Sequence, residues 1–333
     1  MVNIFDIPVK DTINASMKSK SFMVVGKSKS GKSTLGSQAP RPIFLMTENG
    51  GEGLTGFTPV PIGSWADFKQ AVIQLCMPQA REKFDTVVID TYTNLILLLD
   101  KYVGQKLSTD KSTLDFGSDA DYGKGTKAMR NELGIQLQKL ANQGYILLNI
   151  VHAEDKTDFQ TQKQYIGTSL SPGLYGVAEK FVDQIIYLKR ERNKDGTFSH
   201  KIYFNPKGGF EGTGGRWTPD VDSIDCSYDN LEKVMVAAIE KSAEKQGAKA
   251  VEATGPSVTI QTEDERILDF PALKTEFDQL TKDLMAKYPE DGADRVRAII
   301  ETVLGPGKKV GALQPHQAEL LAEVNTSLKA NLE

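Results

Sequence analysis

Short apolar runs recur through the first two thirds of the chain, at residues 22–25, 43–46, 86–89, 145–151 and 184–188. Each run is rich in Val, Ile, Leu or Phe and is largely apolar at consecutive positions rather than at alternate ones. Such runs are typical of strands buried on both faces, as in a parallel sheet covered by helices on each side. The pattern therefore predicts a parallel sheet built from these five segments.

Helical patterns lie between the runs. Ser64, with Asp67 three positions later, predicts a helix start, and apolar residues follow at helical spacing up to Leu75. A second helix is predicted over residues 126–142, where Met and Leu recur every three or four positions. Strands that alternate with helices predict an α/β fold with right-handed crossovers. Residues 198–204 alternate apolar and polar positions after an Asp-Gly turn, which predicts an antiparallel hairpin at the edge of the sheet.

Composition divides the chain into zones. Residues 241–267 are small and polar and carry no aromatic side chain, which predicts a linker. Residues 268–333 carry three helical patterns and no strand pattern. We therefore expect an α/β core over residues 1–240 and a small all-α C-terminal region over residues 268–333, joined by that linker.

Charge and cysteine content exclude several classes of protein. The 333 residues include 40 Lys+Arg and 44 Asp+Glu, and the formal net charge of −4 argues against a uniformly basic DNA-coating protein. Two Cys cannot form a disulfide framework, and with three His they leave almost no material for a zinc site. No apolar stretch approaches the roughly 18 residues of a membrane span, and the first residues lack signal-peptide features. We expect a cytoplasmic protein with no membrane partner.

One motif carries specific chemistry. Residues 26–33 read Gly-Lys-Ser-Lys-Ser-Gly-Lys-Ser and match the phosphate-binding pattern G-x-x-x-x-G-K-[ST] at every fixed position. The motif follows a predicted strand and precedes a segment that can open a helix, so backbone N–H groups and the helix dipole can face phosphate oxygens. The residues predicted to bind nucleotide are Gly26, Lys27, Ser28, Lys29, Ser30, Gly31, Lys32, Ser33 and Thr34.

The same motif predicts a metal site. Lys32 is predicted to reach the β- and γ-phosphates, and the Ser33 hydroxyl to take one Mg²⁺ position. A P-loop also needs an acidic group for the metal at the end of another buried strand. Asp90, directly after the run 86–89, is predicted to be that second ligand. The expected cofactors are therefore ATP and Mg²⁺.

Two further polar side chains follow predicted strands. Glu48 comes just after the run 43–46 and could orient and activate the attacking water. Glu52, four residues later in a Gly-rich loop, is its rival. His152 ends the run 145–151 and could contact the γ-phosphate and report its loss, although a structural role for this residue stays an equal alternative.

The order of these parts resembles the ATPase core of the RecA/RadA recombinases. The P-loop is followed by Glu48, by Asp90, by Tyr122-Gly123 at the start of a long helix, and by His152. The chain is more closely similar to phage-encoded RecA-like ATPases of the single-strand annealing and recombination type, over roughly residues 15–220. The resemblance implies a RecA-like P-loop NTPase core, with a mostly parallel sheet flanked by helices and an edge hairpin, within residues 1–240.

The resemblance also implies roles for individual residues. Glu48 would activate water, and His152 stands where recombinases commonly place a glutamine that senses the γ-phosphate. The loop over residues 153–172 stands where the family keeps a DNA-binding loop, and it mixes charge with aromatic rings. Its residues expected to contact single-stranded DNA are Lys156, Phe159, Lys163 and Tyr165.

RecA-like proteins complete the ATP site with a basic residue from the neighbouring subunit, which stabilises charge in the transition state. Lys207 and Arg216, on either side of a Gly-rich segment, are the two candidates for that catalytic role here. The resemblance therefore implies a homo-oligomer with ATP sites completed between subunits. A single-strand-binding or annealing protein is a further expected partner.

We expect a Mg²⁺-dependent, DNA-stimulated ATPase that promotes annealing or strand pairing of single-stranded DNA during phage recombination and replication, in the cytoplasm of the host. A GTPase or kinase is disfavoured, because a guanine-reading [N/T]-K-x-D motif is absent and residues 100–175 contain a single arginine, Arg130. The alternative is a non-catalytic ATP-bound scaffold that recruits replication or recombination partners. Glu48 discriminates between the two, since a scaffold would not need it.

Overall fold

The computed structural model describes residues 11–108, 114–120, 123–158, 160–204, 209–211, 214–252, 270–304, 307–314 and 317–332. The chain divides into two compact units, Met1–Thr262 and Glu263–Glu333. Three residues named above from the sequence, Phe159, Lys207 and Tyr122, lie outside the described residues.

The strands all belong to the first unit. They are β1 (Thr12–Asn14), β2 (Ser21–Gly26), β3 (Pro42–Met46), β4 (Thr58–Pro61), β5 (Thr86–Asp90), β6 (Ile146–Thr157), β7 (Gln164–Thr168), β8 (Gln184–Arg192), β9 (Phe198–Tyr203), β10 (Gly214–Gly215), β11 (Ser223–Asp225) and β12 (Lys249–Val251). Each of the five apolar runs lies within or overlaps one of the longer strands, β2, β3, β5, β6 and β8.

The helices of the first unit connect and cover these strands. They are α1 (Lys32–Ser37), α2 (Trp65–Leu75), α3 (Pro78–Lys83), α4 (Tyr92–Leu107), α5 (Lys124–Asn142), α6 (Pro172–Ala178) and α7 (Tyr228–Lys245). Helix α2 begins as predicted, because the Ser64 hydroxyl accepts a hydrogen bond from the Asp67 N–H at 3.1 Å. Within the described part of the chain, no helix is both long and apolar enough to cross a membrane.

The main sheet has the strand order β11-β9-β8-β2-β6-β5-β3-β4. Strands β8, β2, β6, β5, β3 and β4 are parallel to one another, whereas β9 pairs antiparallel with β8, and β11 with β9. The predicted α/β fold with a mostly parallel sheet is therefore confirmed. The hairpin of β8 and β9 is also present, but β9 is not the outermost strand, because β11 covers its free edge.

Side chains of successive strand residues enter two separate cores, one on each face of the sheet. Met23 and Val25 face helices α2, α4, α5 and α6, whereas Phe22 and Val24 face helices α1 and α7. Period-two alternation explains this division, since neighbouring strand residues point to opposite faces. Leu133 of α5 is fully buried, and truncating such a leucine to alanine typically costs about 2–5 kcal/mol.

The structure contradicts the first part of the predicted linker. Helix α7 continues through Lys245, and β12 then pairs in parallel with β1 in a second, two-stranded sheet. Residues 241–251 therefore belong to the first unit and do not form a linker. Their small polar composition suggested a linker, but Ala238, Ile239 and Ala243 of α7 are buried, so the helix is held by packing that the composition does not reveal.

The second unit contains α8 (Phe270–Lys287), α9 (Gly292–Leu304), a short 3-10 turn (Val310–Ala312) and α10 (Ala318–Leu332). Its core is formed by apolar side chains of the three helices, chiefly Leu280, Leu284, Val296, Leu321, Val324 and Leu328. Asn325 is buried within it, and its amide donates to the Leu273 carbonyl at 2.9 Å and to Glu276 at 3.0 Å. This unit has its own small core.

Candidate active site

The carboxyl ends of four neighbouring strands meet at one edge of the sheet. The register places Gly26 of β2 opposite His152 of β6, and Met46 of β3 opposite Asp90 of β5. The P-loop, Glu48 and His152 therefore follow parallel strands to the same edge. In open α/β sheets this edge is where ligands bind.

The P-loop owes its shape to two left-handed backbone positions and to a glycine that has no room for a side chain. Lys29 and Gly31 adopt left-handed backbone conformations, with φ of 62° and 96°, and the Ser30 N–H closes a turn onto the Lys27 carbonyl at 3.2 Å. Gly26 has no room for a side chain, because a Cβ there would lie 2.3 Å from Ser30 Oγ and 2.9 Å from the Leu188 carbonyl. The loop thus folds tightly enough for its N–H groups to face a phosphate.

The Lys32 ammonium lies inside this loop. Its Nζ donates to the carbonyls of Gly26 and Lys27, at 2.8 and 2.9 Å, and the residue is buried. Burial lowers the pKa of Lys32, while Asp90 and Glu48 act in the opposite direction by stabilising the charged form. A buried cation at the centre of the loop can neutralise charge that develops on a transferred phosphoryl group.

Ser33 and Asp90 form a pair that fits a magnesium ion. Ser33 Oγ donates to Asp90 Oδ2 at 2.6 Å, and Asp90 is buried at the end of β5. Burial raises the pKa of Asp90, with the Ser33 hydrogen bond opposing the shift. One carboxylate and one hydroxyl, with substrate phosphates, are a typical Mg²⁺ ligand set, and within the described residues no cluster of three or more His, Cys, Asp or Glu competes with it as a metal site.

Glu48 is fixed in position by two side chains from other elements. Its Oε2 accepts a hydrogen bond from Asn94 Nδ2 at 3.0 Å and lies 3.3 Å from His152 Nε2. The loop before it is tied down as well, because Thr47 Oγ1 donates to the Thr91 carbonyl and accepts from the Thr91 N–H. The carboxylate remains about one third exposed, at 36%, so it is oriented but accessible to water and substrate.

Comparison with known proteins places the chain in a family. A profile for the AAA domain matches residues 18–216, well over half of the chain. The chain belongs to the AAA domain family. It is also 24% identical over 338 residues to an SPbeta prophage-derived uncharacterized protein, YorG, of Bacillus subtilis strain 168, with 98% of each chain covered. The flagellar accessory protein FlaH from Methanocaldococcus jannaschii is 10% identical over 56% of this chain and 77% of that one, with a TM-score of 0.29.

The family assignment supports the coarse chemistry: this AAA domain is a P-loop ATPase with a phage-derived relative. Membership of this family implies that the protein binds a nucleotide, usually together with Mg²⁺. Asn94 is a site residue that the sequence does not mark, although it lies four positions after Asp90. An uncharged side chain at the start of a helix gives no signal of a role unless the position of Glu48 is already known.

The described residues of the predicted DNA-binding loop over 153–172 are largely in regular structure and not in a loop. Strand β6 runs on to Thr157 and pairs antiparallel with β7, so that a β-hairpin rises beside the P-loop. The segment 209–211 covers the hairpin's free edge, with hydrogen bonds of 2.7 Å from the Ile166 N–H to the Gly209 carbonyl and from the Glu211 N–H to the Ile166 carbonyl. Backbone pairing thus replaces the expected loop.

The described residues among the predicted DNA contacts lie on this hairpin and differ in exposure and pairing. Lys156 and Tyr165 are cross-strand partners, and Lys163 is exposed near the turn. The Lys156 ammonium is 3.4 Å from Glu211 Oε2 and 3.9 Å from Glu154 Oε1, so carboxylates already balance its charge. Exposed cationic surface on the described part of the hairpin is therefore smaller than the sequence suggested.

The hairpin is joined to the P-loop by an ion pair and to α4 through the backbone of His152. Lys27 Nζ donates to both carboxylate oxygens of Asp155, at 2.6 and 2.7 Å. The backbone of His152 is held from both sides, because its N–H donates to Thr93 Oγ1 at 3.0 Å and its carbonyl accepts from the Ser169 N–H at 2.9 Å. A displacement of His152 would therefore reach both α4 and the end of the hairpin.

Arg216 of this AAA domain lies away from the P-loop of its own chain. Its Nε is 2.8 Å from Asp183 Oδ1, and the other oxygen of Asp183 accepts from the Ser21 N–H at 2.9 Å. Ser21 begins β2, so about 16 Å of strand separates this pair from the P-loop. Arg216 is 75% exposed and does not join the site that the other described residues form.

Proposed function

We propose that this protein is a Mg²⁺-dependent ATPase that acts on single-stranded DNA in phage recombination or replication, in the manner of the RecA-like ATPases that it resembles. One observation carries the catalytic part of the proposal. The Glu48 carboxylate is held by Asn94 and His152, beside the P-loop and on the same edge of the sheet as Asp90. A binding-only protein would not need an oriented carboxylate at this place.

The chemistry follows from the positions of these groups. Water attacks the γ-phosphorus in line with the bond to the β–γ bridging oxygen, and ADP leaves with that oxygen. Glu48 orients the water and accepts its proton, while Lys32 neutralises charge that develops on the phosphoryl oxygens. Ser33 and Asp90 would hold Mg²⁺, which supplies further charge neutralisation when bound.

His152 would couple hydrolysis to the hairpin of β6 and β7. Its side chain contacts Glu48 and its backbone is hydrogen-bonded to Ser169, just after β7. Loss of the γ-phosphate would change the position of His152 and, through it, that of the hairpin. The hairpin residues Lys156, Lys163 and Tyr165 are the proposed contacts to a DNA single strand, together with Phe159.

We further propose that the active form is an oligomer in which a basic residue of a neighbouring subunit completes the site. Arg216 supports this because it is exposed and remote from its own P-loop, as a residue acting in trans must be. Lys207 stays the other candidate. The proposal predicts that phosphate release per subunit rises with protein concentration and that Arg216→Ala or Lys207→Ala lowers it without weakening ATP binding.

The experiment is phosphate release at low salt without DNA, with single-stranded DNA and with duplex DNA. Lys32→Ala serves as the control, because it removes the cation that the P-loop surrounds. Several-fold stimulation by single strands, abolished in Lys32→Ala, supports the proposal. Turnover that does not respond to DNA contradicts the DNA assignment and leaves the ATPase intact.

A second function is favoured by a specific observation on the hairpin. Two of its charge contacts, Lys27–Asp155 and Lys156–Glu211, are already ion pairs, and balanced charge suits contact with a protein better than with a polyanion. The alternative is an ATP-bound scaffold that recruits replication or recombination partners. A Glu48→Gln protein that keeps its full phenotype in phage growth would favour the scaffold.

A further inference from the structure

Besides the residues of the P-loop itself, the groups expected to act on the terminal phosphate lie on one side of β2. Asp90, Glu48 and His152 follow β5, β3 and β6, which succeed one another on that side of the sheet. A triphosphate held by the P-loop must therefore point its γ-phosphate toward β6. The α-phosphate and the nucleoside then extend the other way, toward β8 and β9.

An aromatic ring lies on that other side. His200 of β9 is half-buried and points to the same face as Ile202, which packs in the core beneath α1 and α7. Its Nε2 is 3.3 Å from the Lys29 carbonyl. Ring atoms Cδ2 and Cγ would lie 3.5 and 3.7 Å from a Cβ placed on Gly31, so the ring borders the P-loop directly.

A thiol lies next to the ring. Cys226 Sγ would be 3.9 Å from the same Cβ position on Gly31, and the Cys226 N–H donates to the His200 carbonyl at 2.8 Å. Burial raises the pKa of this thiol to about 11, so it is neutral and weakly polar at physiological pH. A flat ring and a neutral thiol beside Gly31 offer the kind of surface that a nucleobase needs.

We propose that His200 and Cys226 line the subsite for the nucleobase of the bound purine nucleoside triphosphate, with the His200 imidazole contacting the face of the base. The inference depends on one part of the proposed function, which is that the P-loop binds ATP. Stacking of a base on an aromatic side chain typically changes affinity by about tenfold or more. His200 is therefore a specificity-determining residue, remote from the reacting phosphorus.

A purely structural role for His200 makes a different prediction. The contact with the Lys29 carbonyl could simply support the P-loop, whose Lys29 has a φ of 62°. Loss of that support would weaken every polyphosphate ligand equally. Loss of a base contact weakens only ligands that carry a base, so inorganic tripolyphosphate separates the two roles.

The test measures dissociation constants for ATP and for inorganic tripolyphosphate by isothermal titration calorimetry, on the full-length protein. The variants are His200→Ala, His200→Phe and the matched control Lys201→Ala, whose side chain is paired with Asp225 at 2.8 Å. We expect His200→Ala to weaken ATP binding about tenfold while tripolyphosphate binding changes less than twofold. His200→Phe, which keeps a ring but loses the Nε2 contact, should retain most of the ATP affinity.

Three other outcomes overturn the inference. Equal losses for both ligands in His200→Ala would assign the residue to loop support, and an unchanged ATP affinity would place the base elsewhere. Failure of the wild-type protein to bind ATP would remove the proposed function together with the inference. Binding of ATP without any DNA-stimulated turnover would affect the proposed function alone, and tripolyphosphate binding reports that each variant is folded.

Discussion

Replacement of Glu48 by glutamine is the sharpest test of the catalytic site. The substitution keeps the size of the side chain. It also keeps an oxygen that can accept the hydrogen bond that Asn94 Nδ2 donates to Glu48 Oε2 at 3.0 Å. It removes the basicity needed to accept a proton from water. The side chain is 36% exposed and lies outside both cores, so the folded protein should be little affected.

The expected magnitude follows from the role of the lost group. Removing a positioned general base typically lowers the rate by about 10²–10⁴-fold, which corresponds to about 3–5 kcal/mol of transition-state stabilisation. ATP affinity should change by less than about threefold, because the P-loop and the pair of Ser33 and Asp90 are untouched. The loss should therefore appear in kcat and not in the affinity for nucleotide.

The assay is single-turnover phosphate release at saturating ATP, with ATP affinity measured separately on the same protein. Glu52→Gln is the matched control, because Glu52 lines the same surface cleft of about 570 Å³ as Glu48 and is exposed. The reasoning is refuted if Glu48→Gln turns over within fivefold of wild type. It is also refuted if Glu52→Gln loses activity by as much.

Two further substitutions test contacts outside the catalytic group. Asp155→Asn frees the Lys27 ammonium from its carboxylate, so the affinity for ATP at low salt should rise about two- to fivefold. The Tm should not change, because exposed ion pairs contribute little to stability. An unchanged affinity for ATP would contradict this prediction. Arg41→Ala removes the guanidinium that donates to both oxygens of Asp85 at 2.6 and 2.7 Å and lowers the pKa of that carboxyl. A carboxyl whose pKa is lower in the folded state stabilises the fold at pH values above its ordinary pKa of about 3.9. This stabilisation is lost as the pH falls through the pKa of the folded state. In thermal unfolding, the difference in Tm between wild type and Arg41→Ala should shrink as the pH is lowered from 7 to 2. A difference that stays constant would be inconsistent with this role of Arg41.

Elements with a strong local pattern were predictable from the sequence. The five long strands and the P-loop have apolar runs or fixed motif positions, and α2 has a capping residue. Helix α4 was missed although its buried residues Tyr92, Leu95, Ile96 and Leu99 recur at helical spacing and Thr91 caps it. The apolar residues 95–99 stand at consecutive positions, which hides the helical period.

The hairpin of β6 and β7 could not be predicted, for a different reason. Most of its strand residues beyond His152 are polar, and no regular alternation marks them as strands. The hairpin depends on partners far along the chain: Glu211 accepts from the Thr168 N–H at 3.0 Å and contacts Lys156, and Ile166 bridges to Phe210. Tertiary contacts decide the structure of such a segment, and its own sequence carries little of the information.

The choice between Glu48 and Glu52 illustrates the same limit within the site. Both carboxylates follow β3, and both fit the distance along the chain that a catalytic base requires. What separates them is that Asn94 and His152, 46 and 104 residues away from Glu48 in the sequence, converge on Glu48. Their positions depend on the parallel register that brings β3, β5 and β6 to one edge. The fold therefore holds the Glu48 carboxylate in place, and we expect its substitution to lower the rate of hydrolysis.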